Sequence, residues 1–160
     1  MDRPKWEGKV TARLVKVSAD QIWPLFQDFF GLNKWFPGLS ICNGIHGTNG
    51  TPGCVRHCTG FSIPSANGGI SVPGWSHERL TAIDPVNKSF SYEMVDSNIG
   101  FKSYVSTVKI LPDGGGEGCV VEWRFSVDPV AGMTLEDLVK KYNVGLQLMT
   151  KKMEESFEIS

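Results

Sequence analysis

TLEDLVKKYNVGLQLMTKKMEESF, residues Thr134 to Phe157, is the stretch on which the fold turns. Leu135, Leu138, Val139, Tyr142, Leu146, Met149, Met153 and Phe157 recur at spacings of three and four, the signature of one apolar helix face. Lys140, Lys141, Gln147, Lys151, Lys152 and Glu155 fall mostly off that stripe. A helix of about 25 residues spans about 37 Å, enough to cross an entire sheet. Most of the stripe reads as core packing, whereas Tyr142 and Met149 would face a cavity wherever a sheet curves away from the helix.

Everything before this helix reads differently. Residues 8 to 17 alternate and are rich in Val, Leu and Thr, which predicts a first strand. Ser18-Ala19-Asp20-Gln21 fits a capping box and opens a helix over Ile22, Trp23, Leu25, Phe26, Phe29 and Phe30, with Pro24 as a source of kinking and Gly31 as its close. A second short helix is expected from Leu32 to Phe36, ending at Pro37-Gly38. Strands then follow near 39–46, 53–61, 75–83, 88–95, 101–111 and 118–127, an antiparallel meander with turns at Asp84-Pro85-Val86-Asn87 and around Pro112-Asp113-Gly114-Gly115-Gly116. A strand follows the glycine cluster where a phosphate loop would need a helix N-terminus. Strand, two short helices, six strands and a long helix describe a bent sheet gripping one helix, with a ligand-sized hollow where the two diverge.

Strand alternation fills that hollow. Arg56 shares a face with Cys54 and Cys58, and Glu78 with Leu80 and Ala82, so both charges point inward. Isolated ionised groups in a low-dielectric interior cost several kcal/mol, so they pair with each other or with a bound polar ligand. Phe90, Tyr92, Met94, Tyr104, Trp123 and Phe125 complete an aromatic lining. Glu78, Tyr92 and Tyr104 can share protons, and Arg56 can hold an oxyanion or keep Glu78 ionised. His57 and His77 have the opposite parity and belong to the outer face. Phe61 to Gly74 reads as a long loop, either a lid with Ile63, Ile70 and Val72 on its underside or a surface excursion, with Phe61 and Ile63 as candidate ligand contacts.

Composition narrows the function. The 160 residues suit one domain, 1–160, and a net charge of −1 with scattered basic residues offers no stripe for nucleic acid. No apolar run approaches the ~20 residues of a membrane span, and the opening Met1-Asp2-Arg3-Pro4-Lys5-Trp6 lacks a signal-type apolar core, so the expected location is cytoplasmic. Of the cysteines Cys42, Cys54, Cys58 and Cys119, Cys54 and Cys58 would stand about 13 Å apart along one strand, too far for a bridge or a shared metal. Reduced thiols, no metal and no cofactor are expected, leaving cofactor-free proton transfer as the chemistry available to the pocket.

The element order resembles the helix-grip fold of the START-type and birch-pollen-allergen-type superfamily of polyketide cyclases and lipid-transport proteins. Lys5-Trp6-Glu7-Gly8-Lys9-Val10, Gly53-Cys54-Val55-Arg56, Trp75-Ser76-His77-Glu78-Arg79-Leu80 and Gly132-Met133-Thr134 resemble plant lachrymatory-factor-synthase-like proteins over nearly the whole chain. That resemblance implies an α+β helix-grip fold, a curved seven-stranded antiparallel sheet around the C-terminal helix. It also implies an Arg and a Glu, here Arg56 and Glu78, that isomerise an alkenyl sulfenic acid to a thial S-oxide, with pocket residues at Tyr92, Tyr104 and Trp123. Two departures are an aromatic position of the long helix occupied by Gly145, and a longer lid. Abscisic-acid receptors share a similar Arg, Glu and Leu pattern, and Lys34 resembles their carboxylate-binding lysine, but Ile99-Gly100-Phe101 replaces their latch. The expected partner is a small hydrophobic metabolite, bound by an isomerase, by a lipid, hormone or phenolic carrier, or by a receptor-like sensor.

Overall fold

The computed structural model describes residues 4–63, 72–113 and 116–158. Strand β1 (Trp6–Leu14) leads to helix α1 (Ala19–Gln27) and a 3-10 helix (Phe29–Lys34). Strands β2 (Ile41–His46), β3 (Val55–Ile63), β4 (Val72–Asp84), β5 (Ser89–Ser97), β6 (Val105–Pro112) and β7 (Cys119–Val127) follow, and helix α2 (Leu135–Ser156) comes last. All strand pairs are antiparallel, in one seven-stranded sheet of order β1-β7-β6-β5-β4-β3-β2. Neighbours in sequence are neighbours in space except that β1 crosses to pair with β7, Trp6 opposite Val127.

Local chemistry starts each helix. Ser18 Oγ accepts from Gln21 N at 3.2 Å while the Gln21 side chain accepts from Ser18 N at 2.9 Å, the predicted capping box. Thr134 caps α2 in the same way, its Oγ1 accepting from Asp137 N at 3.1 Å. The α2 stripe lies as the spacing predicts: Leu138, Leu146, Met149 and Met153 are buried, each contributing about 1.5–3 kcal/mol of apolar burial. Phe157 breaks from it, standing exposed as the C-cap residue. Gln147 ties α2 to β1 through Thr11 O at 2.8 Å.

Several boundaries move. Helix α1 stops at Gln27, and Phe29, Phe30 and Gly31 belong to the 3-10 helix, which replaces the helix expected over 32–36. Asp28 N–H bonds back to Pro24 O at 3.3 Å, ending α1 well before Gly31. Phe61, Ser62 and Ile63 pair with Gly74, Pro73 and Val72, so the expected fourteen-residue loop is partly strand, and its centre, 64–71, lies outside the described residues. Ala82 does not share the inward face of Glu78 and Leu80. A bulge sets Leu80 opposite Tyr92 but Ala82 opposite Ser91, so Thr81 and Ala82 are both exposed and the parity resets.

Candidate functional site

Arg56 on β3 and Glu78 on β4 are directly opposed residues of one antiparallel pair, which places their side chains on the same face of the sheet. They are only 3% and 5% exposed. Arg56 Nε donates to Glu78 Oε1 at 2.8 Å, and its Nη2 lies 2.7 Å from the same oxygen. The other carboxylate oxygen accepts from Ser76 Oγ at 3.0 Å, and Arg56 Nη1 donates to Phe29 O at 2.8 Å. The guanidinium also stacks 3.8 Å above the Phe29 ring and 4.9 Å from the Tyr92 ring. Burial is the largest single influence on Arg56 and disfavours its charge, yet Glu78 and the smaller contributions of Cys58, Tyr92 and Cys42 together outweigh it and leave the guanidinium more strongly protonated than usual.

A second polar group lies deeper along the sheet. Ser106 Oγ donates to Tyr104 OH at 2.6 Å and accepts from Trp123 Nε1 at 3.2 Å. Tyr92 is the cross-strand partner of Ser106, and the Tyr104 and Tyr142 rings stack 6.3 Å apart. Desolvation raises Tyr92, Tyr104 and Tyr142 well above the ordinary phenol pKa, so near neutrality they are hydrogen-bonding hydroxyls rather than phenolates. Tyr142 packs its ring 4.9 Å from Phe125 and 5.2 Å from Trp123, while Tyr104 stacks on Phe125 at 6.3 Å.

Against Arg56, Tyr92 and Trp123 is a cavity of about 20 Å³, room for about one water; Glu78, Tyr104, Phe125 and Tyr142 are not in its wall. Its wall includes Arg56, Phe90, Tyr92, Trp123 and Met149 from the sequence expectation, with Leu32 and Trp35 added from the first connection. Met94 is partly buried opposite Glu78. The side chains of Phe61 and Ile63 lie outside the described residues. Ser76, Ser106, Phe29 and Phe36 escaped the sequence reading. Ser76 sits two residues before Glu78 on the same strand face, a signal that alternation provides; the Phe29 carbonyl leaves no trace in sequence. The ideal Cβ of Gly145 would stand 2.7 Å from Phe36 Cζ, and Phe36 packs 5.8 Å from Trp123. Phe36 therefore fills the space that a side chain at 145 would occupy. His57 and His77 lie on the outer face but are half-buried, with His77 Nε2 2.9 Å from His57 Nδ1. Among the described residues no group of three or more His, Cys, Asp or Glu side chains could hold a metal, and no helix is long and apolar enough to cross a membrane.

A curved antiparallel sheet closed on a long C-terminal helix, with an aromatic interior, defines a helix-grip protein. Residues 7–155 match the family described as polyketide cyclase / dehydrase and lipid transport, and the chain belongs to that family. MLP-like protein 34 of Arabidopsis thaliana is 26% identical over 99 residues, 53% of this chain and 30% of that protein. MLP-like protein 31 of the same plant is 24% identical over 97 residues, 53% of this chain and 56% of that protein. The matches thus span less than two thirds of either relative's length. The crystal structure of major latex-like protein 151 from Panax ginseng superposes with a TM-score of 0.69 at 21% identity, covering 94% of this chain and 97% of that one. That likeness shows the fold, and family membership suggests hydrophobic-ligand binding within it.

Proposed function

We propose that the protein binds a small hydrophobic metabolite between the sheet and α2 and isomerises it without a cofactor, in the manner of lachrymatory-factor synthase. The observation carrying this reading is the buried Arg56–Glu78 pair, whose Arg56 lines an aromatic cavity together with Tyr92, Trp123 and Asp28. For an alkenyl sulfenic acid, Glu78 takes the S–O–H proton and returns it to the alkenyl carbon distal to sulfur. The electron pair from the C=C bond moves to that carbon, a C=S bond forms, and the oxygen becomes that of the thial S-oxide. Arg56 stabilises the negative charge that develops on this oxygen, and the neutral tyrosines donate hydrogen bonds.

The pocket calls for an opening step. A cavity of about 20 Å³ is far below the roughly 300 Å³ of a small-molecule site, so ligand entry displaces side chains of its wall. A second reading rests on Glu78 itself: both its oxygens already have partners, Arg56 and Ser76, as in an ion pair that shapes a carrier's pocket without chemistry. Turnover separates the two. Alkenyl sulfenic acid is generated in place from its cysteine sulfoxide precursor and offered to wild type, Glu78→Gln and Tyr104→Phe, with folding checked by circular dichroism. Thial S-oxide from wild type, falling at least ~10²-fold in Glu78→Gln, is the expected result. Wild-type turnover retained in Glu78→Gln overturns the role of Glu78. No product from wild type, with a hydrophobic compound retained in native mass spectrometry, replaces the isomerase with the carrier.

A further inference from the structure

Cys42 and Cys58 lie outside the Arg56–Glu78 chemistry and bring two thiols into contact. They are directly opposed on β2 and β3, where Cα atoms of antiparallel partners stand about 4.5–5.5 Å apart, inside the range a disulfide spans. Their sulfurs are 3.5 Å apart, with Cys58 Sγ donating to Cys42 Sγ. Access is asymmetric: Cys42 is half-buried at the sheet's edge strand, whereas Cys58 is 1% exposed. Cys42 also feels the Arg56 charge and the backbone dipoles of Leu32 and Asn33. The hydrogen bond from Cys58 is the largest influence, and together these lower the Cys42 thiol to about 7 against the desolvation that opposes it. Cys58 moves the opposite way, holding its proton. Cys42 is therefore the more accessible thiol and the more readily ionised, and Cys58 holds its proton in contact with it.

We propose that Cys42 and Cys58 form a hydroperoxide-reactive dithiol, with Cys42 the attacking and Cys58 the resolving thiol, that closes to a disulfide between β2 and β3. The Cys42 thiolate attacks the distal oxygen of a hydroperoxide, ROOH. The O–O bond breaks, ROH leaves after taking up a proton, and Cys42 becomes a sulfenic acid. The Cys58 sulfur then attacks the Cys42 sulfur, the S–O bond breaks, and water leaves carrying the Cys58 proton. In sum, two thiols and one hydroperoxide give one disulfide, one ROH and one water: the peroxide is reduced by two electrons and the dithiol oxidised by two. The inference does not depend on the isomerase reading, because neither sulfur is in that proton path.

Hydrogen peroxide added to the native protein tests this, with thiols counted and disulfides mapped by mass spectrometry. Of the four free cysteines, two are expected to disappear together into a single linked pair, Cys42 with Cys58, leaving Cys54 and Cys119 reduced. Cys42→Ser is expected to leave Cys58 reduced, and Cys58→Ala to stop at a Cys42 sulfenic acid that dimedone captures. Before oxidation, iodoacetamide at pH 7 should modify Cys42 at least ~10-fold faster than Cys54 or Cys119. Four persisting thiols in wild type, a linkage through other cysteines, or Cys42 running on to sulfinic acid with Cys58 still reduced would each overturn the proposal. The wild-type map decides the matter even if the buried Cys58→Ala change unfolds the chain.

Discussion

Ser76 holds one oxygen of a carboxylate that is 5% exposed, so removing its hydroxyl leaves a buried acceptor short of a partner. Ser76→Ala is expected to lower the unfolding free energy by about 1–3 kcal/mol, read as a shifted urea midpoint at unchanged slope. An unmoved midpoint would mean that Arg56 alone satisfies Glu78. Removing Arg56 costs more, because the carboxylate then loses its charge partner in the interior: Arg56→Met is expected to cost about 3–5 kcal/mol. Equal midpoints for Arg56→Met and Ser76→Ala would contradict that ordering. At this scale much was legible before the structure. Arg56 and Glu78 announce themselves because charge at an inward strand position is costly, and Tyr92, Phe90 and Trp123 follow by counting in twos. Partners that act through the backbone, such as the carbonyl of Phe29 beneath Arg56, have no sequence signature.

Between elements, α2 and the segment after the 3-10 helix meet at Gly145 and Phe36. Alanine at 145 would gain roughly 1 kcal/mol of helix propensity but drive its methyl into the Phe36 ring, an overpacking cost of about 1–3 kcal/mol. Gly145→Ala is therefore expected to lower the melting temperature, and Phe36→Ala in the same chain to make the Gly145→Ala change neutral or favourable. Additive effects of the two changes would show that the contact carries no energy. In the sequence only the glycine of this meeting is visible, because Phe36 comes from a connection with no periodicity. Strand alternation likewise holds until a bulge interrupts it, which is why Leu80 was placed correctly and Ala82 was not. Capping at Ser18 was fully readable, being decided by contacts within four residues.

Across the whole molecule, the chain's three tyrosines all fall in the one buried hydroxyl cluster. Their folded-state pKa values are raised above those of the unfolded chain, so the stability they contribute is complete below about pH 10 and declines as pH climbs through the range where unfolded tyrosines ionise. Phenolate absorbance is expected to stay flat through pH 10 and then rise for all three tyrosines together with loss of the fold; a tyrosine titrating alone near pH 10 in folded protein would contradict this. The global architecture was legible because a long amphipathic helix after a meander leaves few alternatives, whereas the cavity's size was not, since volume depends on rotamers rather than on patterns. One feature of the sheet reaches back to how the protein is made. Strand β1 leaves the ribosome ahead of the other six strands, yet its partner β7 is synthesised more than a hundred residues later, Trp6 waiting for Val127. The sheet from β2 to β6 can assemble in order as it emerges, but β1 stays unpaired, with an apolar face in need of shielding, until β7 has emerged.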